Sequence, residues 1–165
     1  MIYADNAATT RLSDMAKAAM LPYFDEVYGN PSSLHTAGRQ AKQALESSRH
    51  RIAACLGAEP SEIFFTSGGS ESDNQALITA AEYGKKCGKR HLISTAVEHH
   101  AVLNTLNRLR ENGFEVTLLP VDHHGLVTAE EVKAAIRPET AAVSVMYANN
   151  EIGTIQPIAE IGAIC

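Results

Sequence analysis

Two rhythms of apolar residues alternate along the chain. Past Ser13, apolar side chains at Met15, Ala18, Ala19, Leu21 and Phe24 keep helical spacing, until the turn formers of Tyr28-Gly29-Asn30-Pro31-Ser32-Ser33 break it. A longer helical pattern rich in Ala, Gln and Lys is predicted over 35–56 and is stopped by Gly57. From there, short apolar runs and helical stretches succeed one another. Residues 62–66 read as a buried strand, and Ser67-Gly68-Gly69-Ser70 turns the chain into a helix over 71–86. A second strand is predicted over 91–95, a helix over 100–111 ending at Asn112-Gly113, and a third strand over 115–119. The capping box Thr128-x-x-Glu131 opens a short helix ending near Pro138, residues 141–147 form a fourth strand, and Pro157 opens a last helix. Strands that alternate with helices imply parallel strands joined by right-handed crossovers. The expected fold is therefore α/β, a parallel-strand sheet with flanking helices over 35–165, preceded by an N-terminal arm with one helix over 1–34. In such sheets ligands bind beyond the C-terminal ends of the strands.

Composition narrows the function classes. The chain has 165 residues, 45% of them apolar and 20% charged, which is the make-up of a globular domain. No run of about 18 apolar residues occurs, and the N-terminus MIYADNAATT carries acid where a signal peptide carries base, so a cytoplasmic protein away from the membrane is expected. Residues 1–90 balance ten Lys/Arg against ten Asp/Glu, and residues 91–165 hold four against nine, which accounts for the net charge of −5. Lys85, Lys86, Lys89 and Arg90 read as the basic end of a helix rather than a nucleic-acid face. Cys55, Cys87 and Cys165 share no spacing suited to zinc or to a disulfide framework, so neither a metal site nor a disulfide is expected.

Three polar clusters follow three of the predicted strands. Thr66-Ser67-Gly68-Gly69-Ser70-Glu71-Ser72 combines glycines, hydroxyls and a helix N-terminus, the ingredients of a phosphate site; the same residues also make a tight capped turn. It is neither a Walker loop nor a G-x-G-x-x-G fingerprint. Val97-Glu98-His99-His100 places an imidazole at the same edge, where it can move a proton, lie against an aromatic ligand, or simply cap a helix. Tyr147-Ala148-Asn149-Asn150-Glu151-Ile152-Gly153 offers amides that either orient a polar ligand or satisfy their own turn. The convergence of the three at one edge favours a binding site there. His123-His124, in a polar turn ending at Gly125, is a weaker candidate.

Taken together, Tyr3-Ala4-Asp5-Asn6-Ala7-Ala8-Thr9-Thr10, Gly29-Asn30-Pro31-Ser32-Ser33-x-His35, Phe65-Thr66-Ser67-Gly68-Gly69-Ser70-Glu71-Ser72-Asp73-Asn74, Glu98-His99-x-Ala101-Val102 and Asn149-Asn150-Glu151-Ile152-Gly153 resemble the cysteine desulfurases. These are pyridoxal 5'-phosphate enzymes of the class V aminotransferase group with the fold type I architecture. The resemblance implies that Gly69 and Ser70 hold the cofactor phosphate, with Ser70 standing where the family often has Thr. It further implies that His99 stacks on the pyridine ring and assists proton transfer, and that Asn150 binds near the ring hydroxyl and the substrate carboxylate. Asn6 to Thr9 would lie close to the site, and Asn30 to His35 near a homodimer interface. The implied reaction turns L-cysteine into L-alanine and leaves its sulfur as an enzyme persulfide for a sulfur-acceptor or scaffold protein, in iron-sulfur cluster assembly or tRNA thiolation. Related readings are a selenocysteine lyase, another class V aminotransferase, or a non-catalytic dimerisation module.

Three family parts match nothing in these residues: the Asp paired with the pyridine nitrogen, the Schiff-base Lys in its Ser-x-His-Lys setting, and the sulfur-accepting loop Cys. The lysines and cysteines present stand in other contexts. The helical pattern also stops unfinished at Ile161-Gly162-Ala163-Ile164-Cys165, so the expectation is the N-terminal portion of a large domain, inactive by itself.

Overall fold

The computed structural model describes residues 2–165. The chain divides into two compact units, Met1–Phe65 and Thr66–Cys165.

The first unit is helical. Helix α1 spans Asp14–Met20 and starts where Ser13 accepts the Ala16 N–H at 3.1 Å. The short α2, Pro22–Asp25, follows directly, with Pro at its first position. Helix α3, Thr36–Leu56, is capped by His35, whose Nδ1 accepts the Gly38 N–H at 3.3 Å, and ends where Gly57 turns left-handed at φ 66°. A Cβ on Gly38 would stand 2.3 Å from the Ser33 carbonyl oxygen, so the turn before α3 closes on the helix only over a glycine. A single 3-10 turn, Pro60–Glu62, comes next.

The predicted strand over 62–66 does not form. Ile63 is extended, at φ −94° and ψ 119°, yet residues 63–66 pair with no strand, and Phe64 is 73% exposed. A strand is defined by its hydrogen-bonded neighbour, and these four residues have none. What holds the segment is Arg49 of α3, whose guanidinium donates to the Ile63 carbonyl and lies 4.8 Å from the Phe65 ring centroid.

The second unit carries the sheet. Helix α4, Gly69–Lys86, leads into strand β1, His91–Thr95; α5, His100–Glu111, leads into β2, Glu115–Leu119; α6, Ala129–Ala135, leads into β3, Thr140–Ser144; and α7 covers Ile158–Ile164. The three strands are parallel in the order β2-β1-β3, with Leu92 opposite both Val116 and Ala142. Helix α6 stops at Ala135 and β3 at Ser144, each three residues short of the sequence-based boundary. The Thr128–Glu131 capping box forms in both directions, at 3.2 and 2.8 Å.

Central strand β1 is buried along its whole length, and its alternation sorts the core into two layers. Leu92 joins Leu77, Ala81, Val102, Leu106, Leu109 and Phe114 under α4 and α5. Ile93 points the other way, into Leu119, Val127, Ala129, Val132 and Ile161 under α6 and α7. Each such fully buried aliphatic side chain contributes about 1.5–3 kcal/mol. Helix α4 approaches β3 closely enough that a Cβ on Gly84 would lie 2.3 Å from that of Ala141. With helices on both faces, the C-terminal strand ends and the loops after them form one functional edge.

Candidate cofactor site

The loop into α4 is built around free backbone donors. The first intrahelical bond runs from Ser72 N–H to the Gly68 carbonyl at 3.1 Å, so the N–H groups of Gly69, Ser70 and Glu71 precede it and have no partner within the helix. A Cβ at Gly68 or Gly69 would meet nothing within 4 Å, which leaves open space above these donors. Glu71 does not fill that space. Its Oε2 accepts from both the N–H and the hydroxyl of Ser67, each at 2.6 Å, and these bonds hold its carboxyl below the usual glutamate range. Thr66 closes the loop from behind, its hydroxyl 2.6 Å from that of Ser72 and donating to the Gly68 carbonyl at 3.1 Å. Free N–H groups at the positive end of an 18-residue helix, beneath open space, suit a phosphate. The residues present therefore fit the phosphate arm of pyridoxal 5'-phosphate, and Gly69 and Ser70 are the ones that would hold it.

His99 sits just past the C-terminal end of β1 and is exposed. It caps α5: Nδ1 accepts the Ala101 N–H at 3.1 Å, which leaves Nε2 as the proton-bearing atom of the neutral ring. Of the three sequence-based readings, the structure shows the cap, and it leaves Nε2 free of that bond.

The Asn149-Asn150 pair separates into two roles. Asn149 is buried; its Oδ1 accepts from the N–H groups of Glu151 and Ile152 at 2.8 and 3.0 Å, while Nδ2 donates to the Val97 carbonyl at 3.0 Å. Asn150 is exposed at the same edge. The rings of His123 and His124 lie 3.7 Å apart, centroid to centroid, and tilted by 44°, in a turn organised by Asp122, whose Oδ1 accepts the N–H groups of His124 and Leu126. Among the described residues no group of three or more His, Cys, Asp or Glu is placed to bind a metal, and no helix is long and apolar enough to cross a membrane.

Glu98 and Asn74 stand in the sequence motifs, but sequence reasoning gave neither a role. Glu98 is 6% exposed, and its Oε1 accepts from the Met146 N–H at 2.7 Å and the Thr95 hydroxyl at 3.1 Å. Burial pushes its carboxyl above the usual glutamate range. Asn74 donates to the Ser70 carbonyl at 2.5 Å and accepts from the Thr105 hydroxyl, tying the first turn of α4 to α5. Their place in those motifs was the signal available; the partners Met146 and Thr105, which give the two side chains their roles, lie far along the chain.

The aminotransferase class-V family model matches residues 2–165. The chain belongs to that family. This class-V chain is 52% identical over 164 residues to a cysteine desulfurase IscS of Clostridium botulinum (strain Kyoto / Type A2), covering 99% of the chain and 41% of the relative. It is also 52% identical over 163 residues to a cysteine desulfurase IscS of Methanosarcina thermophila, covering 99% and 40%. Two solved structures are similar: a NifS-like protein with TM-score 0.92 and 46% identity, covering 97% of the chain and 44% of that protein, and SspA in complex with cysteine with TM-score 0.90 and 41% identity, covering 97% and 46%. The class-V chain thus spans about two fifths of the curated relatives it matches.

Proposed function

We infer that this chain supplies the phosphate cup and the proton-transfer histidine of a cysteine desulfurase. The observation that carries the reading is the open first turn of α4, with unpartnered N–H groups at Gly69 and Ser70, at the same strand edge as His99 and Asn150. Pyridoxal 5'-phosphate, when bound, supplies an electron sink for bond making and breaking at the substrate's α and β carbons. Gly69, Ser70 and the helix dipole neutralise phosphate charge and fix the orientation of the group. His99 would lie against the ring and carry a proton at Nε2, Nδ1 being committed to the cap. Asn150 orients the ring hydroxyl and the substrate carboxylate.

In the net reaction the carbon–sulfur bond of L-cysteine breaks and its sulfur bonds to an acceptor thiol, giving L-alanine and a persulfide with no external oxidant or reductant. The persulfide passes to a sulfur-acceptor or scaffold protein in the cytoplasm, for iron-sulfur cluster assembly or tRNA thiolation, and the working enzyme is a homodimer. The covalent lysine and acceptor cysteine are matched by no residue of this chain, so the 165-residue polypeptide by itself yields no alanine. The test is alanine release from L-cysteine by the complete gene product and by residues 1–165 alone, each supplied with pyridoxal 5'-phosphate. Alanine from the first and none from the second is the expected result. Turnover of selenocysteine alone, or amino transfer to a keto acid without sulfur release, would assign another class-V activity; no turnover at all would leave a binding module.

A further inference from the structure

Two buried side chains tie together the loops that carry His99 and Asn150, and neither faces the open edge. From the loop after β1, the Glu98 carboxylate reaches the chain just past β3, where its Oε1 accepts the Met146 N–H at 2.7 Å. From the loop after β3, Asn149 reaches back and donates to the Val97 carbonyl at 3.0 Å. Both bonds are donated from the loop after β3 to the loop after β1, one to a side chain and one from a side chain, and each of those side chains belongs to a residue adjacent to a candidate site residue: Glu98 precedes His99, and Asn149 precedes Asn150. Both side chains are almost fully buried, at 6% and 9% exposure. The Thr95 hydroxyl holds Glu98 in place from β1, and the Glu151 and Ile152 N–H groups hold Asn149 from its own turn. β3 ends at Ser144, so beyond it the backbone ladder no longer sets the distance between these loops.

We propose that Glu98 and Asn149 are positioning residues which, through this pair of hydrogen bonds, fix the spacing between the loops that carry His99 and Asn150. A carboxylate buried in a strand-end loop is costly, and the stability of the sheet does not call for it: the Met146 N–H lies past the last ladder pair and can be satisfied by water in an open loop. The inference rests on the cofactor reading given above.

The experiment uses the complete gene product and titrates pyridoxal 5'-phosphate into wild type, Glu98→Ala, Glu98→Gln and Asn149→Asp, following the dissociation constant and the visible circular dichroism of the bound cofactor. Asn149→Asp keeps the acceptor for Glu151 and Ile152 and replaces the donor to Val97 by an oxygen that its carbonyl repels. Glu98→Gln keeps an acceptor for Met146. Expected are a roughly tenfold weaker dissociation constant and an altered visible band for Glu98→Ala and Asn149→Asp, with Glu98→Gln restoring both. Wild-type affinity and an unchanged band in Asn149→Asp, or failure of Glu98→Gln to restore what Glu98→Ala loses, would overturn the proposal, as would a drop in Tm with no change in the cofactor's signal. If wild type binds no cofactor, the reading of the site falls first and the positioning role falls with it.

Discussion

On the proposed reading His99 would do two jobs with one ring, and a substitution can separate them. Its Nδ1 caps α5 and its Nε2 is free, so replacing it by alanine would remove the cap, worth about 1 kcal/mol, along with the proton carrier. His99→Asn keeps an acceptor at the cap position and removes only the imidazole. The expected outcome is a Tm within a degree or two of wild type by about the ΔΔG of a conserved cap, with alanine production by the complete gene product falling on the order of 10²–10⁴-fold. Retained turnover would take the proton-transfer role away from His99. At this scale the candidate site was half legible. The glycines, Ser70 and His99 announce themselves because phosphate binding and proton transfer draw on few residue types. The partition of Asn149 from Asn150 did not, because two identical amides differ only in which one the turn rotates inward, and Glu98 was hidden because its partner, Met146, lies 48 residues further along the chain.

Elements that declare their own ends were read well, and those that depend on distant neighbours were not. Ser13, Gly57 and the Thr128–Glu131 box act within a few residues, and the helix ends they mark stand where the pattern put them, whereas the one helix expected in the arm is two, α1 and α2, and α6 stops early at Ala135. The segment over 63–66 has strand composition but no partner, which no local pattern reveals. His91 shows the same dependence among the elements that did form. At the first position of β1 its ring bridges the neighbouring strands, Nε2 lying 2.8 Å from the Thr117 hydroxyl of β2 and Nδ1 2.9 Å from the Thr140 hydroxyl of β3. Burial, helped by Arg137 and opposed by Glu115 and Glu139, holds its pKa below the ordinary histidine value. A base whose folded-state pKa is depressed contributes stability that is complete above the unfolded value, near 6.5, and is lost as pH falls through the folded-state value. The urea midpoint of wild type should therefore drop between pH 7.5 and 5. His91→Gln, which can still bond the threonines but does not titrate, should start lower and fall less steeply. Parallel curves for the two proteins would remove His91 from the pH response.

At the scale of the whole molecule, the two units differ in how much apolar surface they bury. The sheet-bearing unit packs two clusters, one under α4 and α5 and one under α6 and α7. In Met1–Phe65 the only buried hydrophobic side chains are Ala41 and Ala53 among the described residues, while Met15, Phe24, Tyr28, Leu34, Leu56 and Phe64 are each at least two-thirds exposed. Apolar surface on that scale associates. Residues 64–66, which join no strand among the described residues, add backbone donors and acceptors outside any ladder, the template on which strands from separate chains pair. The 165-residue polypeptide made alone should therefore scatter light as a species heavier than 17.7 kDa at a concentration on the order of 50 micromolar. Phe64→Lys tests the cause, because Phe64 is 73% exposed and it is Phe65, not Phe64, that lies against Arg49. A lysine there puts a charge on the unpaired segment, which disfavours edge-to-edge pairing, and the measured mass should shift toward the monomer. If wild type already runs as a monomer, the exposed side chains do not drive association. If Phe64→Lys leaves a heavier species unchanged, association runs through the other exposed side chains of the first unit rather than through this segment.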